Sequence, residues 1–135
     1  MKEKIILSAF LIFSVLLFSS CGGNNEVEIG NKTTMIVDPV YDAGTVVKGE
    51  VITAKIKIKN AGSYPLVIAE VSPSCSCTVS EKPQDPIAPG EEITFLAHVD
   101  TDKISGSIVN KGINIVANTE PSVTTVVIRG KIKKK

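Results

Sequence analysis

The stretch V-I-T-A-K-I-K-I-K-N, Val51 to Asn60, alternates apolar and polar side chains over most of its length. Ile52, Ala54, Ile56 and Ile58 fall on one face, and Lys55, Lys57 and Lys59 on the other. Successive side chains of an extended chain point to opposite sides, so a period of two marks a strand with one buried face. A helix would need apolar residues at alternating intervals of three and four with polar residues between, and here they recur at every second position instead. The lysines read as a solvated outer face that also discourages edge-to-edge association. A patch for an acidic ligand is the sharper alternative.

The same alternation returns in E-E-I-T-F-L-A-H-V-D, where Ile93, Phe95, Ala97 and Val99 interleave with Thr94, Leu96 and His98. Shorter apolar runs lie at Leu66 to Val71, Ile113 to Ala117 and Val123 to Ile128. Turn-forming residues separate them: Asn60-Ala61-Gly62, Pro86 through Pro89-Gly90, Lys103 to Gly106, and Asn118 to Ser122. No segment between them carries a helical stripe. The pattern predicts an all-β chain, an immunoglobulin-like antiparallel β-sandwich of about seven strands, with a barrel of similar size as the rival.

The amino-terminal region is built differently. Lys2 and Lys4 precede an uninterrupted apolar run from Ile5 to Phe18. As a helix that run reaches ~21 Å, short of a hydrocarbon core of about 30 Å, so it reads as a secretory signal and not a span. Ser19 and Ser20 then lead directly into Cys21 and Gly22-Gly23. The stretch F-S-S-C-G resembles a bacterial lipoprotein signal, with Phe18 where leucine is usual. That resemblance implies cleavage after residue 20 and acylation of Cys21, and two or three acyl chains anchor a protein stably without a transmembrane helix.

The expected organisation is therefore a signal over residues 1–20, a lipidated Cys21 with a Gly- and Asn-rich tether over 21–34, and one β-sandwich domain over 35–135. Loss of Lys2, Glu3 and Lys4 with the signal takes the basic count from 15 to 13 and the acidic count from 14 to 13. That balance gives no sign of a nucleic-acid partner. Phe95, Tyr41 and Tyr64 are the aromatics left, so the core must be built from Ile, Val, Leu and Ala.

An ordered series of motifs runs through the domain: Y-D-A-G-T-V from Tyr41, Lys48-Gly49-Glu50, Asn60-Ala61-Gly62, P-L-V-I-A-E-V leading to S-C-S-C-T, then Pro89-Gly90-Glu91 and Gly106. The series resembles the bacterial family called domain of unknown function 1573, over about Asp38 to Lys131. The resemblance implies an immunoglobulin-type sandwich akin to PapD-like and major-sperm-protein domains, often in lipoproteins, and it implies no activity. Two positions depart from the family pattern. Ala43 stands where an aromatic is usual, and Ser76 stands between the cysteines in place of glycine, which weighs against a turn with positive φ there.

Catalysis needs converging groups, and few are present. His98 is the single histidine, and by alternation it faces away from the core. V-V-K-G-E lacks the spacing of a phosphate loop, and Asp100-Thr101-Asp102 lacks the glycine and terminal glutamate of a calcium loop. No cofactor is expected. The constellation able to carry chemistry is Cys75 and Cys77. On a straight strand their Cα atoms would lie ~6.6 Å apart, near the upper limit for a disulfide, so bonding requires a bend, which Ser72-Pro73-Ser74 favours. Three readings stay open: a disulfide or redox pair, two buried structural thiols, or a copper site of Cys75 and Cys77 with His98 as a third ligand.

The sequence reading is thus a non-catalytic, lipid-anchored cell-envelope protein whose domain binds another protein or assembles a complex. The alternatives are a thiol-redox or copper-binding protein and a structural spacer. The residues after Cys21 carry no acidic run, so the expected place is the outer membrane, facing the periplasm.

Overall fold

The computed structural model describes residues 31–134. The expected signal, Cys21 and most of the tether lie outside the described residues. Eight strands form the domain: β1 (Met35–Val37), β2 (Val40–Val47), β3 (Val51–Asn60), β4 (Ile68–Pro73), β5 (Thr78–Ser80), β6 (Glu92–Asp100), β7 (Ile108–Ala117) and β8 (Val123–Lys133). They make two four-stranded sheets, ordered β1-β3-β6-β5 and β2-β8-β7-β4. The sheets are open and separate, so the architecture is the immunoglobulin-like sandwich and not the rival barrel.

The opening stretch is the centre of the first sheet. Ile52, Ala54, Ile56 and Ile58 of β3 are buried and pair with Val99, Ala97, Phe95 and Ile93 of β6. Facing them, the second sheet contributes Val109, Ile113, Ile115 and Ala117 from β7 and Val126, Ile128 and Ile132 from β8. Among the described residues Phe95 is the one buried aromatic, and apart from Cys77 the rest of the core is aliphatic. Tyr41, half-buried, donates its hydroxyl to the Thr53 carbonyl oxygen at 3.4 Å and so ties β2 to β3 across the sandwich.

The expected sandwich of about seven strands has eight, and in one pairing it departs from the expected antiparallel course, because β2 runs parallel to β8. The chain pairs β1 with β3 in one sheet, crosses at Asp38-Pro39, and pairs β2 with β8 in the other. Proline suits that crossing: it has no N–H to lose, and its carbonyl oxygen accepts from Val127 N at 2.8 Å. One edge segment is thereby split between two sheets. The folded body also begins earlier than residue 35: Thr33 is buried, bridges Thr119, and donates its backbone N–H to the Asn118 carbonyl oxygen.

The recurring short motifs turn out to be joints. Lys48 reaches across the β2–β3 turn and donates from Nζ to the carbonyl oxygens of Thr101, Asp102 and Ile104, at 2.7, 3.2 and 2.6 Å. Thr101 and Asp102 lie in the 3-10 turn Thr101–Lys103 and Ile104 caps it, its N–H donating to the Thr101 carbonyl oxygen, so Lys48 adds a second donor at that oxygen and ties the turn to the β2–β3 joint. Gly49, at φ +97°, gives the tight turn, and Glu50 Oε2 accepts from Val47 N. At the opposite end of β3, Asn60 and Asn118 hold the chain's entry: Asn118 Nδ2 donates to the carbonyl oxygens of Asn31 and Pro65. Entry and the Lys48 joint are separated by the ten residues of β3, ~33 Å.

Candidate functional site

Cys75 and Cys77 sit where the chain leaves β4, an edge of the second sheet, and enters β5, an edge of the first. The bend that the sequence reading required is there. Residues Ser74 to Cys77 form a turn, Thr78 N donates to the Cys75 carbonyl oxygen at 3.2 Å, and the cysteines are joined as a disulfide with Cα atoms 5.3 Å apart. The separation lies well inside the usual range for a disulfide, whereas a straight strand would have stood near its upper limit. No described non-glycine residue has positive φ, so Ser76 closes the turn without needing the freedom of glycine.

The corner is pinned on both sides. Ser74 N donates to the Gly112 carbonyl oxygen at 2.8 Å, and Gly112 N donates back to Ser74 Oγ at 3.1 Å, which fixes the corner to β7. Asp100 N donates to the Cys77 carbonyl oxygen at 2.9 Å, which fixes it to β6. The two sulfurs differ in access: Cys77 is 6% exposed and part of the core, whereas Cys75 is only partly buried against it. Thr78, 3% exposed, places Oγ1 3.6 Å from Cys75 Sγ and 3.7 Å from Cys77 Sγ.

Lys111 is the other unusual neighbour. It follows the inward row of β7, between Val109 and Ile113 and opposite Ile128, and precedes Gly112, to which the corner is bonded. A lysine in that row interrupts an otherwise aliphatic series and is half-buried, with no carboxylate at ion-pair distance among the described residues. The break in the row is visible in the sequence; its position beside the corner needs the β4–β7 pairing. Nothing in the sequence indicates that Thr78 touches both sulfurs.

The structure does not bring His98 to this corner. It lies on the outer face of the first sheet, with Nδ1 3.2 Å from Thr53 Oγ1. Asp100, on the same strand, is occupied elsewhere: Oδ1 accepts from Asp102 N, and Oδ2 is 3.7 Å from Lys103 Nζ. Among the described residues no group of three or more His, Cys, Asp or Glu side chains is placed to hold a metal ion.

The two outer faces differ in charge. On the first sheet, Lys55, Lys57 and Lys59 of β3 stand beside Leu96, Thr94 and Glu92 of β6. Lys57 and Glu92 form an ion pair at 2.9 Å, which holds the Lys57 ammonium above its ordinary range. On the second sheet, three successive rows carry one charged side chain, Glu70 at the edge: Val123, Val116 and Glu70; Thr125, Asn114 and Ser72; Val40, Val127 and Gly112. Thr125 Oγ1 donates to Asn114 Oδ1 at 2.8 Å within this face. Charge returns only at its far end, where Asp42, Asn110, Arg129 and Lys131 line an open cleft of about 550 Å³ beside the β2 bulge.

The chain matches the family described as Protein of unknown function (DUF1573) over residues 34–132. It belongs to that family. The match begins a few residues before Asp38, in agreement with the packed Thr33–Thr34 segment. A search of the curated proteins finds no match. Among solved structures, the family member resembles a protein of unknown function from Porphyromonas gingivalis at 18% identity and a TM-score of 0.69, covering 81% of this chain and 51% of that one. It also resembles the ASH/PapD-like domain 7 of human CEP192 at 9% identity and a TM-score of 0.55, covering 87% and 96%. A third likeness is to the VesB protease of Vibrio cholerae, at 12% identity and a TM-score of 0.57, covering 73% and 31%. The chain thus spans about half of the Porphyromonas structure and under a third of the protease. At such identities the likeness is one of fold.

Proposed function

We propose that this DUF1573 domain is a non-catalytic binding module, held in the cell envelope by a lipidated Cys21 and docking another protein on the outer face of its second sheet. The observation that carries the reading is the uncharged surface running from Val123 and Val116 through Thr125 and Asn114 to Val127 and Val40, with charge at its border at Glu70 and at the Arg129 end. Interface centres are depleted in charged residues and rimmed by polar ones, and this face has that layout. The first sheet, with its lysine row, has the layout of a solvated face. The F-S-S-C-G motif supports the anchor, and attachment of the entering chain beside Asn118 leaves the docking face on the flank of the domain.

Extraction of the chain from its own membranes tests both parts at once. Intact mass is expected to show acylation at Cys21, and a protein partner is expected to co-elute in fixed proportion. Thr125→Lys, at an exposed site where folding should change by less than about 0.5 kcal/mol, is expected to weaken retention of that partner by about thirty-fold, the effect of burying an unpaired charge. An unmodified Cys21, or a partner retained equally by the Thr125→Lys variant, would count against the respective part.

A further inference from the structure

The corner disulfide supports an activity beyond docking. Cys75 and Cys77 are joined at a turn between two sheet edges, away from the end where the chain enters. A bridge spanning so short a segment restrains the unfolded chain only about half as much as one closing a fifteen-residue loop. The bridge is therefore a poor staple. Its surroundings suit exchange: Cys75 is partly exposed, Cys77 is buried, and the Thr78 hydroxyl lies in contact with both sulfurs.

We propose that the Cys75–Cys77 disulfide accepts two electrons from the cysteine pair of a dithiol protein, with Cys75 as the sulfur attacked. A partner thiolate approaches along the free edges of β4 and β5 and attacks Cys75 Sγ. A bond forms between the partner's sulfur and Cys75, the Cys75–Cys77 bond breaks, and Cys77 leaves with the electron pair as a thiolate. Thr78 Oγ1–H, 3.7 Å from Cys77 Sγ in the oxidised state, donates to that thiolate. The partner's second thiolate then attacks its own sulfur in the mixed disulfide and releases Cys75. The partner ends as a disulfide, Cys75 and Cys77 end as thiols, and the two protons come from the partner's thiols through water. Burial of Cys77 makes it the slower nucleophile and leaves Cys75 as the point of entry.

The full chain, extracted from membranes, is exposed to glutathione and dithiothreitol without denaturant. Oxidised glutathione is expected to cap Cys75 in the Cys77→Ser variant about ten-fold faster than it caps Cys77 in the Cys75→Ser variant. Thr78→Val is expected to slow reduction of the intact pair by about ten-fold, equivalent to one hydrogen bond to a charged group, while Thr78→Ser keeps the original rate. Acid quenching of the unsubstituted chain during reduction by glutathione, followed by peptide mapping, gives an independent readout, with the adduct expected on Cys75. An adduct on Cys77, equal reactivity of the two sulfurs, an unchanged rate for Thr78→Val, or reduction only in denaturant would overturn the proposal.

Discussion

Replacing Asn60 with alanine is expected to lower the unfolding free energy by about 4 kcal/mol, a large part of the 5–15 kcal/mol typical of a domain. Asn60 is 0% exposed and closes the end of β3. Its amide nitrogen donates to the carbonyl oxygens of Tyr64 and Ile87, at 2.8 and 2.9 Å. Its amide oxygen accepts from Thr33 Oγ1 at 2.8 Å and from Gly62 N at 3.1 Å. Alanine would remove all four bonds, deprive the buried Thr33 hydroxyl of its partner and leave a void, so the cost combines lost bonds, desolvation and lost packing. Denaturant unfolding should show a lower midpoint at unchanged slope. Asn60→Asp offers a signed control. An ionised carboxylate would face the Tyr64 and Ile87 carbonyl oxygens, so its folded-state pKa should rise above the unfolded value. That variant should regain stability as pH falls and its side chain becomes a donor again, and lose it as pH rises through the folded pKa.

The second large effect is expected at Gly62. A Cβ there would lie 2.6 Å from the backbone nitrogen of Thr34 and closer still to Thr33 Oγ1. Backbone cannot give way as a flexible side chain can, so Gly62→Ala should cost about 3 kcal/mol and push the Thr33–Thr34 segment off the domain. Hydrogen exchange should report the location of the damage: amides of Thr33 and Ala61, bonded to the Asn118 and Thr34 carbonyl oxygens, lose protection, while those in the β3–β6 ladder keep theirs relative to the global stability. Equal loss throughout would contradict the assignment of Gly62 as a seat for the entering chain.

Asn60-Ala61-Gly62 was legible as a turn, because asparagine and glycine are turn-formers, but the four bonds of Asn60 reach residues as far apart as Thr33 and Ile87. Long-range satisfaction of this kind leaves no periodic trace. The long strands were readable for the opposite reason. In β3 and β6 every second residue meets the same core, so burial writes itself into a period of two. The division of the first edge between β1 and β2, and the parallel course of β2 beside β8, were not readable, since alternation records which face is buried and not which neighbour is bonded. A bulge between Asp42 and Thr45, with Gly44 at φ +66°, further breaks the alternation in β2. At the corner, the sequence posed the question of a bend at Ser76; the anchoring of Ser74 to Gly112 and of Cys77 to Asp100 lies in pairings that only the assembled sheets define.

The fold explains why a small, aromatic-poor domain can present two unlike faces. Core packing uses only the inward rows, so the outward rows of β3 and of β7 and β8 are free to differ. One carries lysines, and the other carries Val, Thr, Asn and Gly over its central rows, with Arg129 and Lys131 at one end. The most direct test of the docking claim is photo-crosslinking in intact cells, with a photoreactive residue placed at Thr125 on the second sheet or at Lys57 on the first. A discrete adduct of constant mass from position 125, absent from position 57, is the predicted result. Adducts from position 57 alone, or none from either, would contradict the assignment of the uncharged face as the docking surface.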